Sequence, residues 1–183
     1  MKNKIRTEVI QKKKQYSPEE IASISGKIIA RLIQMPEFSA SKRILAYFSV
    51  PGEVQTGEFI DRYKEEKDIL LPVVEGDALF VKKYTGRENC IKGAFGILEP
   101  VGPAVSDLQT VDLILVPGVA FDRNRNRLGR GKGYYDKLLP HFPKETLKIG
   151  VCFDFQLIDR VPTNDWDVPM DVVVTNSLLR SSQ

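Results

Sequence analysis

Residues 111–117 (VDLILVP) form an apolar run with no alternation of polar positions. A strand of this kind needs cover on both faces, which a parallel sheet between two layers of helix supplies. Comparable short runs stand at residues 43–48 (RILAYF), 69–74, 147–153 and 172–175, and a further strand is expected at 78–84 after the turn Glu75-Gly76-Asp77. The segments between them read as helices. Residues 2–15 carry Ile5, Val9 and Ile10 on one stripe. Ser17-Pro18-Glu19-Glu20 opens the next helix with a cap, a first-turn proline and the acid of a capping box, and Pro36 bounds that helix at about Gln34. Residues 56–67 and 133–139 supply two more, while 92–103, with three Gly and two Pro, reads mainly as loop. Helices alternating with apolar strands predict an α/β fold: a single three-layer domain over residues 1–183, with a largely parallel sheet flanked by helices.

The net charge of +3 matters less than its distribution. Residues 1–16 hold six Lys/Arg against one Glu, and residues 122–137 hold six against two Asp. These local charges of +5 and +4 leave −6 for the rest of the chain. Two concentrated basic segments on an acidic body fit a small anionic ligand better than a broad nucleic-acid footprint. One His and two widely spaced Cys exclude a zinc site held by soft ligands and give no support to Ser-His-Asp or Cys-His chemistry. Cys90 and Cys152 are expected to be buried structural thiols. No apolar run approaches the length of a membrane span, nor follows the basic N-terminus as it would in a secretory signal, so a cytoplasmic protein is expected.

Residues 111–139 read strand, loop, glycine-rich turn, helix, which places the loop at the carboxyl end of a strand, where open α/β sheets bind ligands. Gly129, Gly131 and Gly133 alternate with Arg130 and Lys132. Glycines let backbone N–H groups approach a phosphate, the start of a helix adds its positive dipole end, and the cations supply compensating charge. Tyr134 and Tyr135 offer flat faces and hydroxyls. Asp136 is suited to a Mg²⁺ that bridges phosphate oxygens. Neither a Walker A loop nor the dinucleotide fingerprint G-x-G-x-x-G is present.

The string PGVAFDRNRNRLGRGKGYYD, at residues 117–136, resembles the signature of the 5-formyltetrahydrofolate cyclo-ligase (methenyltetrahydrofolate synthetase) family. KNKIR near the start, YFSVPGEVQT, FGILEP and VPTNDWDVPMDVVVT resemble further family motifs in the same order, so the likeness spans nearly the whole chain. The resemblance implies ATP- and Mg²⁺-dependent conversion of 5-formyltetrahydrofolate to 5,10-methenyltetrahydrofolate, with ADP and phosphate released. It implies that Lys2 and Arg6 reach ATP phosphates, and that Arg127, Leu128, Gly129, Arg130, Gly131, Lys132, Gly133, Tyr134 and Tyr135 line the nucleotide. The folate would meet Phe48, Glu53 and the run from Arg130 to Tyr134. Arg130, Lys132 and Tyr134 would serve catalysis, and Asp136 and Asp171 would hold Mg²⁺. Where the family often has His before the Asp of its closing motif, this chain has Trp166-Asp167, so a proton-shuttling role at that position does not transfer. Trp166 is expected to pack on a ligand ring or cover the sheet edge.

Such a reaction needs no enzyme nucleophile, because phosphoryl transfer rests on positioning and charge neutralisation. That suits a chain with a single His. A small-molecule kinase or ligase with another acceptor would use the same ATP site, and a non-enzymatic binder of RNA or folate would use the basic segments alone. The expected partners are ATP and the folate, with no nucleic acid and no membrane, and the expected state is a monomer.

Overall fold

The computed structural model describes residues 1–93 and 96–177 and the backbone of 179–181. Its main sheet contains β1 (Arg43–Leu45), β2 (Asp68–Glu75), β3 (Ala78–Lys83), β6 (Leu113–Val116), β9 (Leu147–Val151), β11 (Val172–Val174) and β12 (Leu179–Ser181), in the order β12-β11-β9-β6-β1-β2-β3. Pairings from β11 through β2 are parallel, and the two edge strands, β3 and β12, are antiparallel. The fold is thus mixed α/β with a largely parallel sheet flanked by helices.

Continuous apolar runs are explained by burial on both faces. Ile44, Leu113, Leu115, Ile149, Val151, Val172 and Val174 face one layer, built from α2 (Pro18–Ile33), α3 (Pro36–Ala40) and α4 (Gly57–Tyr63) through Ile28, Leu32, Phe38, Phe59 and Ile60. Their neighbours Leu45, Ile114, Val116 and Val173 face the other layer, where α5 (Tyr134–Leu138) and the 3-10 turn after it bring Leu138, Leu139 and Phe142. The start of α2 is as the sequence predicts: Ser17 Oγ accepts from Glu20 N at 3.2 Å and Glu20 Oε2 from Ser17 N at 2.7 Å. Such a cap is worth about 1 kcal/mol.

Residues 90–100 depart from the loop expected there, since β4 (Cys90–Lys92) and β5 (Leu98–Pro100) pair as an antiparallel hairpin. A second small sheet joins β10 (Leu157–Ile158), β7 (Ala120–Asp122) and β8 (Arg127–Leu128). Buried Asp122 sets its turn: Oδ1 accepts from the N–H groups of Asn124 and Asn126, and Oδ2 from Asn126 Nδ2 and Val161 N. Four donors compensate the burial of that carboxylate. Cys152 is buried as expected, and burial pushes its thiol up from its ordinary pKa. Cys90 is only half-buried, donating to Gly86 O at 3.4 Å, because it lies on a hairpin outside the main sheet. Among the described residues no helix is long and apolar enough to cross a membrane.

Candidate active site

Strand order reverses at β1. From it the chain moves to β2 on one side, then returns to β6, β9 and β11 on the other. A crevice at the carboxyl ends of strands opens at such a switch point. A cavity of about 520 Å³ lies there, reached by Tyr47 and Phe48 after β1 and by Pro117 and Gly118 after β6.

The glycine-rich segment forms its charged side. Arg127, Gly129, Arg130, Lys132, Gly133, Tyr134, Tyr135 and Asp136 all line the cavity. Arg127 is fixed by an ion pair with Asp136 (Nη2 to Oδ1, 2.7 Å), by Pro117 O at 3.3 Å, and by the Tyr135 ring 5.6 Å away. Arg130 is more exposed and crosses the mouth to Glu53, Nε to Oε1 at 3.0 Å. Glu53 is held in turn by Val50 N, and the loop that carries it closes where Thr56 Oγ1 donates to Tyr47 O. Phe48 lines the cavity and meets Tyr84 edge-on at 5.5 Å. Tyr134 reaches across to Gly76 O at 3.5 Å. The Tyr135 hydroxyl is buried and has no hydrogen-bond partner among the described residues. Burial, with the Glu53 charge adding to it and Arg127 opposing, pushes that phenol up and keeps it neutral.

The first helix, α1 (Lys2–Lys13), lies over this loop. Val9 anchors it in a small cluster with Ala120, Leu128 and Val161. Arg6 Nε donates to Gly129 O at 3.0 Å, and Lys2 pairs with Asp167 at 2.9 Å. Gly131 has φ +108°, a backbone conformation that favours glycine, and it lies in van der Waals reach of the Arg6 guanidinium.

Several expected site residues lie elsewhere. The Leu128 side chain is buried under α1, facing away from the cavity, because β8 directs alternate residues to opposite sides. Asp171 is not brought to Asp136. It precedes β11 at the amino end of the sheet, where Oδ2 accepts from Lys148 N at 2.7 Å and pairs with Lys148 Nζ at 3.1 Å. The cavity is at the other end of the strands. Asp167, paired with Lys2, also feels the charge of Arg127. Trp166 is 70% exposed, so it does not cover the sheet edge. Helix α5 is only five residues long, so the positive character of the site comes from side chains more than from a helix dipole. Of FGILEP, Phe95 lies outside the described residues; Ile97, Leu98 and Glu99 line the cavity.

Lys13 also belongs to this neighbourhood and was not singled out by its sequence. Its ammonium lies against Gly52, where a Cβ would approach to 1.9 Å. Burial and the Arg130 charge lower its pKa, against the attraction of Glu53.

A model of the 5-formyltetrahydrofolate cyclo-ligase family matches residues 1–176. The chain belongs to that family. It is similar to the 5-formyltetrahydrofolate cyclo-ligase of Escherichia coli K12, at 29% identity over 91% of this chain and 96% of that one. The enzyme of the same name from Mus musculus is 30% identical over 94% and 92%. Its fold is similar to that of the 5,10-methenyltetrahydrofolate synthetase of Aquifex aeolicus, with a TM-score of 0.88 and 41% identity, covering 98% and 92% of the two chains. The cyclo-ligase family model thus takes in both the glycine-rich loop and the α1 helix laid over it.

Proposed function

We propose that this chain cyclises 5-formyltetrahydrofolate to 5,10-methenyltetrahydrofolate at the expense of ATP, with Mg²⁺, releasing ADP and phosphate. The observation that carries the reading is the two-sided cavity, in which Arg127, Arg130 and Lys132 face an apolar wall of Leu71, Val74, Leu79 and Leu98. One side suits phosphates and the other a flat heterocycle. A formamide oxygen is a poor leaving group. Its attack on the γ-phosphate of ATP releases ADP and leaves a phosphorylated imidate. The neighbouring N10 then adds to the activated carbon and loses its proton, and expulsion of phosphate completes the ring.

The residues present fit a Mg²⁺ ion, which takes one or two carboxylates together with phosphates and water. Asp136 lines the cavity and spends only Oδ1 on Arg127. Asp167 shares the Arg127 field and is the better second carboxylate than Asp171. The ion would supply charge neutralisation at the phosphates. Arg130 and Lys132 would neutralise the transferring group, and Arg130 would exchange Glu53 for phosphate as ATP enters. Glu53 would then be free to meet the folate beside Phe48. Lys2 and Arg6 would hold the nucleotide from α1, with Gly129, Gly131 and Gly133 keeping the backbone close. Tyr134, spanning to the β2–β3 turn, and Tyr135 would help exclude the water that wastes ATP. We place the reaction in the cytoplasm, where free thiols persist, and in a monomer.

The test mixes protein, ATP, Mg²⁺ and 5-formyltetrahydrofolate and follows the ultraviolet absorbance of the methenyl product. Product that requires ATP and is lost in Arg130→Ala supports the reading. ATP turnover without methenyl product would move it to another acceptor.

A further inference from the structure

Three carboxylates line the cavity: Glu53, Asp136 and Glu99. Glu53 and Asp136 are each paired to an arginine. Glu99, on β5, has no basic partner among the described residues and lies on the apolar wall with Val74, Leu79 and Leu98. It is 6% exposed.

Its placement follows from the end of a strand. Strand β1 stops at Leu45, so beyond Leu71 one edge of β2 has no partner strand. β3 occupies the opposite edge through Val74↔Leu79. The Val74 N–H that faces the vacated edge donates to Glu99 Oε1 at 3.2 Å. A neutral acceptor would satisfy one backbone N–H equally well, and a carboxylate is costly on an apolar wall. The second oxygen has room reserved for it: a Cβ on Gly93 would lie 1.9 Å from Glu99 Oε2.

We propose that Glu99 recognises the pteridine of the folate, accepting hydrogen bonds from its 2-amino group and the adjacent N3–H. The inference rests on the cyclo-ligase reading of the cavity. Those two donors lie on one edge of a flat ring, side by side, and a carboxylate matches them in the manner of a two-pronged arginine pair. The ring faces meet the aliphatic wall. With that edge held at Glu99, the far side of the heterocycle, bearing N5 and its formyl group, turns toward Arg130 and Lys132. Glu99 is therefore a specificity-determining residue, and it orients the reacting oxygen without touching it.

The experiment compares 5-formyltetrahydrofolate with its 2-desamino analogue in the wild-type protein, Glu99→Gln and Glu99→Leu. Wild-type protein that makes no methenyl product from the natural folate overturns the cyclo-ligase reading itself. Given an active wild type, the proposal expects at least tenfold discrimination in kcat/KM against the analogue. In Glu99→Leu the discrimination falls to about onefold, and KM for the folate rises at least tenfold while KM for ATP holds. Glu99→Gln keeps the acceptor for Val74 N and, with it, the thermal midpoint, and it falls between the two in discrimination. A residue that only braces β2 would weaken both folates alike. Equal discrimination in Glu99→Leu and wild type, or none in wild type, overturns the proposal and leaves the reaction in place.

Discussion

Asp136→Ala should destabilise the fold as well as impair the reaction. The Arg127 side chain is 4% exposed and that of Asp136 is 19% exposed, with their ion pair at 2.7 Å. Among the described residues, Asp136 is the only carboxylate in contact with this guanidinium, and Arg127 Nε already lacks a hydrogen-bond partner. Removing one member of a buried pair costs about 3–5 kcal/mol, because the other charge is left desolvated. The partial exposure of Asp136 and the carbonyl of Pro117, 3.3 Å from Nη1, lower the expectation to about 2–3 kcal/mol. With a urea slope of about 2 kcal/mol per M, the unfolding midpoint should fall by about 1–1.5 M. The double variant Arg127→Met/Asp136→Leu should recover most of that stability, since it leaves no charge unpaired. A loss below about 0.5 kcal/mol in Asp136→Ala would refute the reasoning, for that is what an exposed pair is worth.

Other perturbations follow from the same structure. Tyr135→Phe removes a buried hydroxyl that has no partner among the described residues, so stability in urea should stay or rise, by up to about 1 kcal/mol, and a clear loss would count against this. Val9→Ala removes two methyl groups from under α1, costing about 1–2 kcal/mol, and should raise KM for ATP about threefold or more because Lys2 and Arg6 ride on that helix. Unchanged ATP kinetics would separate α1 from the nucleotide. Burial pushes the Asp167 carboxyl up, but bonds from Lys2 and the Asn164 N–H outweigh it and hold the pKa below its ordinary value. The folded pKa is the lower one, so this stabilisation is complete above the unfolded value of about 3.9 and is lost as pH falls through the folded value. The stability gap between wild type and Asp167→Asn should accordingly be flat near neutrality and shrink below about pH 4; a gap that widens in acid would contradict it.

The parallel strands were legible because burial on both faces gives them mostly apolar runs, as at residues 113–116. The two-residue strands Arg127–Leu128 and Leu157–Ile158 are too short to leave a period in the sequence. The glycine-rich loop could be read because its glycines, cations, tyrosines and carboxylate are adjacent in the chain. Asp167 could not, since its partner Lys2 is 165 residues away. Lys13 looked like any other lysine of a basic helix, and only the fold sets it over Gly52. Asp171 could not be placed from sequence for the converse reason: an Asp just before an apolar strand fits either end of a sheet, and here Lys148 holds it at the end away from the cavity.

The fate of the formyl oxygen distinguishes phosphoryl activation from any other route to the ring. Substrate carrying ¹⁸O in its formyl group is turned over with ATP, and the released phosphate is analysed by mass. One ¹⁸O per phosphate is expected for each methenyl product, because that oxygen attacks the γ-phosphate beside Arg130 and Lys132. Unlabelled phosphate, with the label lost to water, would contradict it.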